Sequence, residues 1–401
     1  MTDIVIVGGG VIGATCALML ANSGVKVTLI EYLNKSDLIS PKLDRRNIAL
    51  SYGSILLFKE LNIWGKLIEY SSAIKNIIVS QKGSFTKTFL DAESYNIPAF
   101  GFTVSLQMIK KILWGSVIQN KNINIKFQTQ VTDIKDNNII IRNNISSTEE
   151  KIDYKLCIAS DGNNSLIKRI SKIKSDKFDY QQTAIISTLF HEKPHNNFAF
   201  ERFVKDGALA ILPLNDYLNS EYNLKNNISS LVWIVKDSQA EKLYSLEDKN
   251  FIKKLQENFG YRLGRILDIK NRQKFDLTAS ISMELYNLDN KVVFLGNAAN
   301  ELHPVMAQGL NLGLRDVYTF VKKVNKYLKL HNNLDNLDFL SEYAIARKKD
   351  HNNIISTTHF LANNKIPFFP KNLGILFFNE LESIQSNIVK KALGFELYAN
   401  A

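Results

Sequence analysis

The residues best suited to chemistry in this chain are glycines, spaced as a cradle for phosphate. Gly8, Gly9, Gly10 and Gly13 form GGGVIG, which follows a strand-like apolar run, Asp3 to Val7, and precedes apolar residues at helical spacing, Val11 to Ala21. Val25 to Ile30 reads as a second strand ended by Glu31. In that context Gly8 makes the tight turn, Gly10 lets backbone approach a pyrophosphate, Gly13 permits close helix packing, and Glu31 accepts from the ribose hydroxyls of an ADP moiety. An acid at Glu31 also repels a 2′-phosphate, which disfavours NADP as the tightly bound ligand.

A second constellation lies near the other end, VVFLGNAANELHPVMAQGLNLGLRD, from Val292 to Asp316. An apolar strand ends at Gly296, a loop runs through Pro304, and helical spacing resumes between Gln308 and Leu310. The expected consequence is an exposed helix N-terminus. Free N–H groups and the positive dipole end there favour an anion, such as the charge that a reduced flavin carries around N1 and O2. By itself the stretch reads equally as an ordinary strand, loop and helix.

Three further residues have two readings each. Arg46, in DRRNIALSYGS just before an apolar helical pattern, reaches a phosphate or the flavin side of a cofactor, or is a solvated loop arginine. Asp161, in ASDGNNS after a strand, contacts a pyrophosphate or ribityl hydroxyl, or caps a helix. His303, beside Pro304, polarises substrate or orients the loop, or serves as a structural hydrogen-bonding residue.

These residues need a frame. The spacing predicts a helix from Phe102 to Val117, then strands at Ile123 to Phe127, Val131 to Ile134, Ile139 to Ile141 and Ile152 to Ile158. From about Phe178 to Thr278 the alternation in TAIISTLF, FAFERFVKDGALAILPL and SSLVWIV predicts antiparallel strands, with Tyr261 and Leu263 of a short turn packed as core. Val317 to Leu330 and Phe339 to Leu361 read as helices. The fold class expected is α/β: a Rossmann-like FAD-binding domain (residues 1–75, 100–175 and 278–330) with an inserted antiparallel β-sheet substrate domain (76–99 and 176–277) and a C-terminal helical segment (331–401). The cleft between the two domains is the expected substrate site. The apolar tail from Lys365 to Phe395 reads as a helical hairpin packed on the first domain, or as a surface facing a membrane or partner.

Composition excludes more than it selects. At 401 residues, 45% hydrophobic and 22% charged, the chain is long enough for two domains and is not disordered by default. The net charge of +11 goes with a compositional bias, Lys and Asn scattered among abundant Ile, rather than with the aromatic-interleaved basic cluster of a nucleic-acid binder. Cys16 and Cys157 read as small buried hydrophobes, which excludes a disulfide framework, and the lack of a C-x-x-C or C-x4-C pair argues against a dithiol flavoenzyme and a cysteine-based metal site. With neither a signal core nor a run of eighteen apolar residues, the expected location is the cytoplasm, with a peripheral contact on the cytoplasmic membrane face as the alternative.

Taken together, GGGVIG with Glu31, DRRNIALS, ASDGNNS and GNAANELHPVMAQGLNLGLRD stand in an order across nearly the whole chain that resembles the class A flavin-dependent aromatic hydroxylases of the para-hydroxybenzoate hydroxylase-like fold. GNAA, LHP, FAFERFVKDGALAILPL, FGYRLG and NLGILFFNEL are most similar to the ubiquinone-biosynthesis hydroxylases, the 2-polyprenyl-6-methoxyphenol hydroxylase group among them. The resemblance implies FAD held through its ADP half by Gly8, Gly10, Gly13 and Glu31. Arg46 would sit near the ribityl or pyrophosphate portion, Val131 on the adenine side, and Asp161 at the pyrophosphate. Gly296 and Asn297 would meet the ribityl chain, while Pro304, Gly309, Leu310 and Asn311 would line the isoalloxazine ring. It further implies NAD(P)H as a transient electron donor, and O2 and a polyprenyl phenol as partners, with oxygen transferred through a flavin C4a-hydroperoxide. Contact with a membrane or a ubiquinone-biosynthesis complex is a further implication. Four positions depart from the family pattern: Asn297 for Asp in the GD motif, as in the subgroup, Lys168 for an arginine, Leu106 for Arg or Gln, and Ala307 for a glycine. A dehydrogenase or reductase of the same fold, or a non-catalytic subunit of a quinone-biosynthesis complex, stands as the alternative. A halogenase is disfavoured because Trp64, Trp114 and Trp233 form no W-x-W element.

Overall fold

The computed structural model describes residues 3–38, 40, 46–85, 87–135, 138–205, 207–215, 227–303 and 308–362, so Pro304, Ala307 and the tail from Lys365 lie outside the described residues. The chain opens with β1 (Ile4–Val7), α1 (Val11–Asn22), β2 (Val27–Ile30), α2 (Lys35–Leu38), β3 (Asn47–Ser51), α3 (Tyr52–Glu60), α4 (Trp64–Leu67), β4 (Ser71–Ile74), β5 (Asn76–Gln81) and β6 (Lys87–Asp91). It continues through β7 (Gly101–Ser105), α5 (Leu106–Gln119), β8 (Ile123–Lys126), β9 (Thr129–Lys135), β10 (Asn138–Asn143), β11 (Glu149–Asp153), β12 (Leu156–Ala159) and α6 (Leu166–Ile170). Then come β13 (Ser175–His191), β14 (Phe198–Val204), β15 (Gly207–Pro213), β16 (Ile228–Lys236), α7 (Asp237–Tyr244), α8 (Asp248–Phe259) and β17 (Ile266–Ser282). The last described elements are β18 (Tyr286–Asn287), β19 (Val292–Phe294), β20 (Asn300–Glu301), α9 (Gln308–His331) and α10 (Phe339–Ala362).

The strands IVIV, VTLI, LCIA and VVF are apolar without alternation because both their faces are covered, and they are buried throughout. They form one sheet in the order β18-β19-β12-β1-β2-β8, parallel except for the edge pair β18–β19. Helix α1, apolar nearly all round, packs between this sheet and helices α5 and α9. Cys16 and Cys157 are buried in this core. Two three-stranded sheets, β11-β10-β9 and β3-β7-β4, flank it.

A separate eight-stranded sheet runs β20-β17-β13-β16-β15-β14-β5-β6, antiparallel apart from β14 against β5. One face packs Ile185, Leu189, Leu209, Ile211, Leu231 and Trp233 against Phe251, Leu255 and Phe259 of α8. The architecture is a Rossmann-like nucleotide-binding fold with an inserted, largely antiparallel sheet and C-terminal helices.

Several local expectations need correction. Phe102 to Ser105 is strand β7, not helix: FTVS, β-branched and aromatic, pairs between β3 and β4, and helix begins only at Leu106. Arg46 therefore precedes strand β3 rather than a helix. Ile152 to Ile158 divides between two sheets, the chain turning at Tyr154, whose hydroxyl donates to Asn290 O at 2.7 Å. Leu263 is buried as expected, but Tyr261 is 68% exposed, because Gln256 Nε2 donates to the carbonyls of Gly260 and Gly264 and holds the turn with Tyr261 outward. Helices α7 and α8, within a stretch read as strands, complete the core of the large sheet.

Candidate active site

The first turn is built by close approach. Gly8 has φ +95°, and a Cβ there would lie 2.5 Å from Ser160 O; a Cβ on Gly13 would lie 1.9 Å from Gly8 O. No larger residue fits either position. The Ser160 hydroxyl lies 2.9 Å from both Val7 O and Gly8 O, which ties the ASDG turn to the GGGVIG turn. Helix α1 starts with Gly10 as its N-cap, without a side-chain cap and without an acidic residue in its first turn. The first N–H to find an intrahelical carbonyl is Ala14, which donates to Gly10 O at 2.9 Å. The N–H groups of Val11, Ile12 and Gly13 are thus left for an anion at the positive end of the helix. Beside Gly10 the space a Cβ would take is open to 4 Å. These features fit the pyrophosphate of FAD.

Glu31, at the end of β2, is only 7% exposed. Its Oε2 accepts from Gly9 N at 2.6 Å and its Oε1 from Leu33 N at 2.8 Å. Burial raises its pKa, and the Leu33 and Gly9 amides pull it back. The carboxylate therefore braces the glycine turn, and the remaining lone pairs suffice for a ribose hydroxyl. Trp114 Nε1 donates to Gly9 O at 2.9 Å from the other side. Val131 is buried in β9, two residues past Thr129, whose N–H donates to Glu31 O at 3.0 Å.

Asp161 does cap a helix: Oδ2 accepts from Leu166 N at 2.9 Å and Ile167 N at 3.4 Å. Its Oδ1 is buried with no hydrogen-bond partner among the described residues, and burial raises its pKa. A buried orphan acceptor calls for a donor, which a cofactor hydroxyl would provide. Lys168 nearby is buried, its pKa lowered by that burial, with Nζ 3.4 Å from Ser282 Oγ, while Arg169 is exposed.

The second glycine turn meets the first. Gly296 has φ +59°, and a Cβ there would lie 2.8 Å from Ile12 Cγ1; Gly313 of α9 presses on the same Ile12 and on Gly296. Asn297 is exposed beside this contact, and Gly309 and Leu310 are half-buried in the first turn of α9. The Asn311 side chain is engaged: Oδ1 accepts from Ser51 N at 2.9 Å and Ser54 Oγ at 2.7 Å, and Nδ2 donates to Ala49 O at 2.9 Å. Its backbone is what remains for a ring.

His303 is 1% exposed, its Nε2 lies 3.1 Å from Gln182 Oε1, and its ring packs edge-on against Tyr180 at 4.8 Å. Burial, with a smaller push from His359, lowers its pKa to about 4, so it is neutral at pH 7. Arg46 is exposed, lies over the Phe275 ring of β17 at 5.7 Å, and accepts from Leu106 N through its carbonyl at 2.9 Å. It thereby links the start of α5 to the large sheet.

The structure thus brings Gly8, Gly10, Gly13, Glu31, Asp161, Gly296 and Asn297 together at the carboxyl ends of β1, β2, β12 and β19, with Gly309, Leu310 and Asn311 at the adjoining helix start. That is where open α/β sheets bind nucleotides. Trp114, Ser160 and the Asn311 amide were missed from the sequence, because each acts on a partner more than a hundred residues away.

Comparison with known proteins agrees with this geometry. The family described as FAD binding domain matches residues 1–350, and the chain belongs to it. FAD is its cofactor, and within that family the chain is a FAD-dependent monooxygenase. It is 26% identical over 400 residues to the ubiquinone hydroxylase UbiL of Rhodospirillum rubrum, covering 98% of this chain and 90% of that one. It is 24% identical to 3-demethoxyubiquinol 3-hydroxylase of Escherichia coli, over 98% of each chain. The p-nitrophenol 4-monooxygenase PnpA of Pseudomonas putida shares the fold, with a TM-score of 0.74 at 14% identity, covering 99% of this chain and 98% of that one.

Proposed function

We propose that this FAD-dependent monooxygenase hydroxylates the aromatic ring of a polyprenyl phenol in ubiquinone biosynthesis, with NAD(P)H as electron donor and O2 as co-substrate. The likeness to ubiquinone hydroxylases across nearly the whole chain is the observation that carries this reading. Bound FAD supplies the redox chemistry, taking reducing equivalents from the nicotinamide and passing one atom of O2 to the ring. The protein's own residues bind and orient. Gly8, Gly10 and Gly13 with the start of α1 would hold the pyrophosphate, Glu31 the adenosine ribose, and Asp161 a cofactor hydroxyl. The amides of Gly309, Leu310 and Asn311 at the positive end of α9 would steady negative charge on the reduced ring.

The inserted sheet turns an apolar face toward this cofactor site, carrying Ile186, Val232, Ile234, Ala208 and Ala210, which suits a prenylated phenol. No helix among the described residues is long and apolar enough to cross a membrane, so a lipid-borne substrate would be met by peripheral contact with a membrane face or with a partner of the same pathway. The deciding experiment supplies a candidate prenylphenol with labelled O2 and weighs the product. One labelled oxygen on the ring is expected; a donor oxidised without oxygen insertion would refute the proposal. Flotation with anionic liposomes, before and after truncation at Lys365, tests whether the tail makes the membrane contact; equal binding by the two forms would remove it from that role.

A further inference from the structure

Strand β14 alternates sides. Phe200 packs in the α8 core, and Arg202 donates through Nε to Asn258 O at the end of α8, 2.8 Å away. Ala199, Glu201 and Phe203 therefore lie on the opposite face. The strand register fixes what surrounds Glu201 there: Ile186, Val232 and Ala210 on one side along its rung, Val79 and Thr88 on the other. The rungs before and after it both meet the nucleotide-binding fold. Arg46 lies over Phe275 on one, and Asn47 Nδ2 donates to Ser230 Oγ at 3.5 Å on the other. Among the described residues Glu201 is thus a lone carboxyl on the apolar face turned toward the cofactor turns.

Two observations point to a ligand. Glu201 is half-buried on this face, and it has no hydrogen-bond or ion-pair partner among the described residues. On the adjoining rung the side-chain oxygen of Gln81 is buried and likewise without a partner. An unpaired carboxyl in an apolar wall is costly unless something else fills its hydrogen bonds.

We propose that Glu201 is the catalytic base that accepts the hydroxyl proton of the phenolic substrate. This rests on the function proposed above. The phenol O–H bond breaks, the proton moves to a carboxylate oxygen of Glu201, and the electron pair stays on the phenol oxygen, from which it enriches the ring carbons ortho and para to it. When the oxygenated ring regains aromaticity by losing its C–H proton to water, the phenol oxygen takes its proton back from Glu201, which ends the turnover unchanged. The carboxyl suits this role because burial raises its pKa to about 7, close to neutrality. No charged side chain of the described residues lies on its own rung, and Arg46, over Phe275 on the neighbouring rung, is the charged group on this face. The facing groups on β5, β6, β13, β15 and β16 are neutral, and Arg202 on its own strand points to the other side.

The test uses the full-length, FAD-loaded protein. Glu201→Gln should slow ring hydroxylation at least ~100-fold without loss of bound FAD, and Glu201→Asp should recover part of it. The rise in wild-type rate between pH 5.5 and 8 should disappear in Glu201→Gln. A second readout needs no turnover: 4-nitrophenol, whose phenolate is yellow, should bind the wild type as the yellow phenolate with its proton on Glu201, and should bind Glu201→Gln as the colourless phenol. A Glu201→Gln enzyme within about threefold of wild type at every pH would overturn the proposal, as would the same nitrophenol ionisation in both proteins or no binding to the wild type. Failure of the functional reading is seen separately, as a wild type that binds nitrophenol but puts no labelled oxygen on any prenylphenol.

Discussion

Two buried carboxylates in this molecule live under opposite rules. Asp316, in the seam between α9 and α10, accepts from Arg347 Nε at 2.6 Å and His351 Nε2 at 2.7 Å, and Arg347 also reaches Asp350 at 2.6 Å. Burial alone would raise its pKa, but His351 and the Arg347 guanidinium outweigh that and hold it at about 2. Glu201 has burial and no partner among the described residues, and is pushed up to about 7. One seam stores charge to join two helices. The other face leaves a carboxyl unpaired, the state that chemistry can use.

The largest effect should come from breaking the paired site. Asp316→Ala leaves the buried Arg347 guanidinium with Asp350 as its remaining carboxylate and should cost about 3–5 kcal/mol, read from the urea midpoint. Replacing both partners, Asp316→Leu with Arg347→Met, should cost less than either single change; an additive loss would mean that the pair contributes more than it costs to bury. The pH dependence of stability separates the two carboxylates next. The Asp316 pKa is depressed in the fold, so its contribution of about 2 kcal/mol is present above pH ~4 and lost as the pH falls through about 2. The Glu201 pKa is raised, so its contribution is complete below its ordinary 4.5 and lost as the pH rises through about 7. Glu201→Gln should therefore gain roughly 2 kcal/mol of stability at pH 8.5 and nothing at pH 4, measured by denaturation at both. A loss at pH 8.5 would show the carboxylate to be paired after all. The smallest effect belongs to His303, neutral and bonded to Gln182: His303→Ala should cost about 1 kcal/mol and leave turnover unchanged at full FAD occupancy.

The glycine turns were legible in the sequence because their geometry is local: Gly8 and Gly13 are dictated by a turn six residues long. The buried parallel strands were legible for a similar reason, since a strand covered on both faces shows as an unbroken apolar run. What could not be read depends on distant partners. FTVS is a strand only because β3 and β4 flank it, and Trp114 braces Gly9 across 105 residues. FAFERF displays two faces by its alternation, but only the docking of α8 decides which face holds Glu201 and which turns toward the cofactor.

The Asn311 amide has a consequence for synthesis of the protein. It joins Ser51 across 260 residues, so the chain leaves the ribosome with its nucleotide turn made long before the piece that closes over the ring. Cofactor capture should therefore be a late event in the life of each nascent molecule, and abbreviated chains ending before α9 should emerge colourless and exposed to proteases.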